Sequence, residues 1–180
     1  MDKGTQTIET ERLILRKFKL ADAQNTYDNY RSKEIVTKYV SWSHNTSVED
    51  TKSYLADFVL PEYDKENTYR WAIVWKENNE VIGCIDVCET NERKRCAELG
   101  WCIGDEYWGR GIMPEAAKSV VEYLFSVGYE RIQATHHVEN KKSGRVMEKI
   151  GMQYEGILKK GSMYKNNVLV DCCLWAIVKP

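Results

Sequence analysis

The segment Trp108-Gly109-Arg110-Gly111-Ile112-Met113-Pro114-Glu115-Ala116-Ala117 carries the most chemical content in the chain. Two glycines flank one basic residue, and an apolar run with helical spacing follows at once. Upstream, Ala97-Glu98-Leu99-Gly100-Trp101-Cys102-Ile103 reads as a strand. Strand, short glycine loop and helix together place free backbone N–H groups in front of an anion. The first turn of a helix leaves its N–H groups unpaired, and the helix dipole makes that end partly positive. Glycines let the backbone approach a phosphate with no Cβ in the way. The segment therefore suggests a phosphorylated ligand. Its spacing excludes two common loops: there is no Gly-x-x-x-x-Gly-Lys-Ser/Thr run, and Pro114 stands where a dinucleotide loop needs its third glycine. Gly-Arg-Gly alone also fits a tight strand-to-helix turn, so the surrounding elements must decide.

A chain of 180 residues can bury one domain-sized core. Its 26 basic and 27 acidic residues nearly balance, which gives no electrostatic case for a nucleic-acid partner. Six cysteines are present without Cys-x-x-Cys or zinc spacing. Cys84 and Cys88, Cys96 and Cys102, and Cys172-Cys173 fall in strand-like runs, where they read as small buried apolar residues. No metal site is expected. The polar amino terminus has no signal-peptide run, which points to the cytoplasm and to reduced thiols. No window approaches the roughly 20 apolar residues of a membrane span.

The elements that must position the loop follow from periodicity. Leu13 to Phe18 reads as a first strand and Ala21 to Arg31 as a helix. Ser47 reads as an N-cap with Asp50 three residues on, opening a helix that runs to about Val59 and stops before Pro61. Tyr69–Trp75 and Val81–Cys88 form a hairpin around Asn78-Asn79. Cys96–Ile103 is the next strand. Met113–Val127 is the clearest helix, closed by Gly128. A strand at Arg131–His137 follows, then a helix over Ser143–Ile150 closed by Gly151. Tyr154–Leu158 and Leu169–Ile177 pair around Lys165-Asn166-Asn167. Helices connect some strands and hairpins others, so the sheet is expected to be mixed, with about seven strands.

This order, with a glycine loop between the fourth strand and the third helix, resembles the GNAT superfamily of acyl-CoA-dependent N-acyltransferases. Within it, the chain is most similar to the Rim-type branch of ribosomal-protein N-terminal acetyltransferases. Four pieces carry the resemblance: Thr10-Glu11-Arg12-Leu13-Ile14-Leu15-Arg16; Ala97 to Trp101 with Trp108 to Ala116; Asn140-x-x-Ser143-x-Arg145-Val146-Met147-Glu148-Lys149-Ile150-Gly151-Met152; and Tyr154-Glu155-Gly156. It covers a single domain over residues 9–178. The superfamily pattern Gln/Arg-x-x-Gly-x-Gly/Ala is broken at its first position by Glu106. Met113-Pro114 stands where many members carry alanine. Pro114 is tolerated there because its missing N–H would be unpaired anyway.

The resemblance implies an α/β (α+β) GNAT fold with helices on both sheet faces and a splay between strands 4 and 5. It implies acetyl-CoA as co-substrate, its pyrophosphate held by the N–H groups of Gly109, Arg110, Gly111, Ile112 and Met113. Trp101, Cys102 and Ile103 would pair with the pantetheine amides, helped by Asn140. Ser143 would sit near the coenzyme sulfur and protonate the leaving thiolate. The reaction is direct attack of a neutral amine on a thioester, which benefits from a general base and an oxyanion-stabilising N–H. Glu98 is the candidate base, acting through water. His136 and His137 are alternatives, of which only one can face the cleft because neighbouring strand residues point to opposite faces. Tyr164 is a further proton donor candidate. Trp42, His44, Tyr54 and Trp71 are candidates for the acceptor pocket, although each also suits a core. The acceptor is a small-molecule or peptide amine. A strand edge near Leu169–Ile177 is the candidate surface for a homodimer. The competing reading is a coenzyme A sensor without turnover.

Overall fold

A computed structural model describes residues 4–180. Eight strands form one mixed sheet in the order β1-β2-β3-β4-β5-β6-β8-β7. The strands are β1 (Ile8–Glu9), β2 (Leu13–Arg16), β3 (Arg70–Trp75), β4 (Glu80–Asn91), β5 (Cys96–Ile103), β6 (Arg131–His137), β7 (Gln153–Met163) and β8 (Leu169–Val178). One more strand exists than the sequence suggested, because the short segment β1 folds back antiparallel on β2. Two residues carry too little periodicity to be seen in advance.

Helix α1 (Ala23–Thr26) continues through a π-helical turn at Tyr27–Arg31, and α2 (Val48–Tyr54) through another at Leu55–Val59. Helices α3 (Ile112–Ser126) and α4 (Lys141–Lys149) complete the set. The expected box opens α2: Asp50 N donates to Ser47 Oγ at 3.2 Å, and Ser47 N donates to Asp50 Oδ2 at 2.9 Å. Helix α3 closes with Tyr129 N on Leu124 O and Gly128 N on Phe125 O; α4 closes the same way with Met152 N on Met147 O and Gly151 N on Glu148 O.

Helices cover both faces, and the alternation of β3 shows how. Trp71, Ile73 and Trp75 enter the core under α3, while Ala72 and Val74 enter the core under α1 and α2. Trp71 is therefore a core residue and not part of an acceptor pocket: it is 0% exposed and its Nε1 donates to Gln6 O at 2.6 Å. The cysteines are free; Cys102, Cys172 and Cys173 are buried as expected. Cys84 and Cys96 are half-buried, and Cys88 departs furthest from the expectation. It is the exposed extra residue of a bulge in β4, between Val87 and Glu89. Strand β8 is also not an edge. It lies between β6 and β7, and the edges of the sheet are β1 and β7. No helix among the described residues is long and apolar enough to cross a membrane.

Candidate active site

Parallel pairing between β5 and β6 runs only from Cys96↔Arg131 to Leu99↔Ala134. Beyond it, Gly100 to Ile103 pair only with β4, and Thr135 to His137 only with β8. The two strands part, as expected, and each turns a bare backbone edge toward the gap. Such unpaired groups need partners from outside the sheet.

The gap opens into a cleft of about 850 Å³. Trp101, Cys102 and Ile103 line it from β5, and Gly109, Gly111, Ile112 and Met113 from the loop and α3. Gly109 and Gly111 have φ of +75° and +74°, a conformation that side-chain-bearing residues rarely adopt. The loop thereby leads straight into the first turn of α3, whose Ile112, Met113 and Pro114 line the cleft. Pro114 lies in that first turn, where no hydrogen bond is lost. Arg110 is placed differently from its neighbours. Its guanidinium sits 5.3 Å from the centre of the Trp75 ring and 5.8 Å from that of Tyr107, and unlike Tyr107 it is not part of the cleft lining.

The loop is held from behind by the amino-terminal segment. Glu115 in the first turn of α3 accepts from Thr10 Oγ1 at 2.6 Å, Arg12 N at 3.0 Å and Arg12 Nε at 2.7 Å. Arg12 Nη1 also donates to Arg110 O at 3.0 Å. Burial pushes the Glu115 carboxyl up, but the bonds from Thr10 and Arg12 outweigh it and leave the pKa below the usual value. The Thr10-Glu11-Arg12-Leu13 motif is thus the brace of the loop. Glu106 has a comparable role. With Asp105 it grips Lys33 at 2.9 and 3.0 Å, tying the loop to the segment after α1.

Asn140 caps α4, which begins at Lys141, two residues earlier than expected. Its Nδ2 donates to Ser143 Oγ at 3.0 Å, and both residues line the cleft. Sequence reasoning missed the basic face of α4. Lys142, Arg145 and Lys149 also line the cleft, and Lys142 Nζ lies 3.6 Å from the centre of the Trp108 ring. Their spacing of three and four residues is a legible signal of one helix face.

Glu98, opposite Gln133, lies one step before the last paired step, Leu99↔Ala134. It accepts from Gln133 Nε2 at 2.9 Å and Thr135 Oγ1 at 3.0 Å and faces the α1–α2 side, beside the cleft rather than in its wall. His136 is not brought to the cleft. It is buried, its Nδ1 donates to His137 O at 2.8 Å, and its Nε2 accepts from Trp175 Nε1 at 3.2 Å. Burial lowers its pKa. Gly144 packs on it so closely that a Cβ would come within 2.9 Å of Nε2, so His136 seats α4 on the sheet. His137 points the other way, its ring 5.3 Å from Tyr39 and 6.2 Å from Tyr164. The Tyr164 hydroxyl is spent on Lys38 O. Another acidic group escaped the sequence reading. Asp86, paired to Arg70 at 3.2 Å, has its pKa raised by burial despite that partner.

The site combines a bare strand gap, a glycine loop leading into a helix start and a basic helix face. The chain belongs to the acetyltransferase (GNAT) family: the family's domain matches residues 12–153. It is 34% identical over 174 residues to an uncharacterized N-acetyltransferase, YoaA, of Bacillus subtilis, covering 96% of this chain and 97% of that one. The crystal structure of a GNAT-family acetyltransferase from Bacillus anthracis superposes with a TM-score of 0.82 at 30% identity, over 96% of this chain and 98% of that one. RimL, a ribosomal L7/L12 alpha-N-protein acetyltransferase solved with coenzyme A, shares the fold at a TM-score of 0.81 and 19% identity, over 96% and 98%. The protein is an acetyltransferase.

Proposed function

We propose that the protein moves an acetyl group from acetyl-CoA to a primary amine, of a small molecule or a peptide N-terminus, by direct transfer. The observation that carries this reading is the parting of β5 and β6 beside the two left-handed glycines of the loop. The residues present fit the co-substrate. Free N–H groups at Gly111 to Met113 suit a pyrophosphate. Lys142, Arg145 and Lys149 suit further phosphate charge, and the bare edge at Trp101 to Ile103 suits amide groups of an extended arm. Arg110 contributes through its backbone, since its guanidinium is occupied by aromatic rings. Asn140 orients Ser143, whose hydroxyl is the proton donor for the departing thiolate. Glu98 is the base, holding a water with the lone pairs that Gln133 and Thr135 leave free. The name of RimL supports a peptide N-terminus among the acceptors.

Calorimetry is expected to show acetyl-CoA binding at micromolar strength to the wild type and none to Gly111→Trp. Absence of binding to the wild type overturns the reading. Thiol release with a panel of amines then separates transfer from sensing: binding without release for every amine supports a coenzyme A sensor.

A further inference from the structure

Arg31 closes the π-helical turn after α1 and is 7% exposed. Its guanidinium carbon lies 3.7 Å from the centre of the Tyr54 ring and 4.3 Å from that of Trp42. Nε donates to Asn45 Oδ1 at 2.7 Å, and the same oxygen accepts from Thr51 Oγ1 at 2.9 Å. The other partly buried arginines each have a carboxylate: Arg12 has Glu115, Arg16 has Asp22, Arg70 has Asp86 and Arg131 has Glu155. Arg31 has none among the described residues, and its two terminal amino groups have no hydrogen-bond partner. Nor are they sealed from solvent, unlike the unpaired hydroxyl of Thr26.

A buried cation without a counter-charge is costly, and aromatic faces compensate only part of that cost. Ring faces also leave the in-plane N–H donors free. A guanidinium whose Nε is fixed presents those donors as a fork that fits two oxygens of one carboxylate or phosphate. Asn45, itself held by Thr51, fixes the fork's direction. The location suits an acceptor group. Arg31 stands on the face of the sheet opposite α3, close enough to Cys102 for its charge to act on that thiol. Cys102 lines the coenzyme cleft, as do Val36 and Tyr39 from the segment that follows Arg31. Lys33, two residues on, is clamped to the loop by Asp105 and Glu106.

We propose that Arg31, clasped by Trp42 and Tyr54, binds an anionic group carried by the acceptor amine, a carboxylate or a phosphate, and so selects the substrate. This rests on the acetyl-transfer reading above. The test is thiol release with acetyl-CoA and matched acceptor pairs in which one member carries an anionic group and the other a neutral counterpart or none. The pairs are alanine against alaninamide, glutamate against glutamine, 2-aminoethyl phosphate against ethanolamine, and C-terminally amidated Ala-Asp against Ala-Asn peptides. In at least one arm the anionic member is expected to react with at least tenfold higher kcat/KM, and that arm identifies the source of the charge. Arg31→Gln is expected to raise the KM of that member at least tenfold while the KM for acetyl-CoA stays within twofold. Arg31→Lys should retain part of the preference. Equal reaction within every pair overturns the proposal, as does an Arg31→Gln enzyme that keeps the preference. If Arg31→Gln does not fold, the wild-type pairs alone decide. Transfer without charge preference sinks only this proposal, whereas no transfer to any amine sinks the acetyl-transfer reading with it.

Discussion

The two sides of the sheet are built by different means. On the α3–α4 side, the cleft proposed for the coenzyme is bounded by backbone, with two left-handed glycines, the first turn of α3 and the bare edges of β5 and β6, and by α4 side chains such as Ser143 and Arg145. On the α1–α2 side, the cluster around Arg31 is built from side chains that come from separate stretches of irregular chain and short helix: Arg31, Trp42, Asn45 and Tyr54. A backbone site serves one carrier whatever the acceptor, because N–H groups are common to nearly all residues. A side-chain site can change its ligand by single substitutions. On the proposed reading, the fold separates what stays the same in the reaction from what can vary.

That separation can be broken or sharpened by perturbing each side alone. The largest effect on stability is expected from Glu115→Gln, which weakens the brace behind the loop. A loss of about 1–3 kcal/mol, read by chemical denaturation, follows from charged hydrogen bonds of this kind. Its pH dependence has a definite sign. The folded pKa of Glu115 is lowered, so its stabilisation is present above the unfolded carboxylate pKa and disappears as pH falls through the folded one. The wild-type margin over Glu115→Gln should therefore shrink on acidification from pH 7 toward pH 3. A margin that is constant or grows would contradict the brace.

Ser47→Ala is the matching change on the other side. Loss of the α2 cap should cost about 1 kcal/mol while leaving the acetyl-CoA dissociation constant unchanged by calorimetry. A large loss of coenzyme affinity would mean the two sides are not separable. Smallest is Lys142→Ala. It should weaken acetyl-CoA binding by about threefold to tenfold, as one exposed charge against a phosphate does, and flatten its salt dependence. Acceptor KM values should not move.

Local signals were readable in advance, and contacts between distant segments were not. Gly109, Gly111, Gly128 and Gly151 mark backbone turns by their own chemistry, and Ser47 with Asp50 marks a helix start within four residues. The apolar periods of β5, β6 and α3 set those elements to within a residue or two. His136 shows the opposite case. A histidine on the right strand suggests a base, but its fate depends on Trp175 and Gly144, which the sequence does not place beside it. Trp71 and Trp42 look alike as sequence. One fills the core under α3 and the other faces Arg31, a difference fixed only by strand alternation and by an irregular segment after α1. The basic face of α4 lay in plain spacing, at Lys142, Arg145 and Lys149.

The brace behind the loop has a consequence for how the molecule comes into being. Its bonds join residues more than a hundred positions apart: Thr10 to Glu115 and Arg12 to Glu115, with the Tyr123 hydroxyl reaching Gly4 O across 119 positions. A chain emerging from a ribosome makes its first strand long before α3 exists to receive it. Closing so large a loop costs entropy before any contact repays it, so such contacts form late. The glycine loop gains this brace only after that closure. During synthesis β1 and β2 can pair with each other at once, but the Thr10 and Arg12 side chains wait for Glu115 until α3 has emerged.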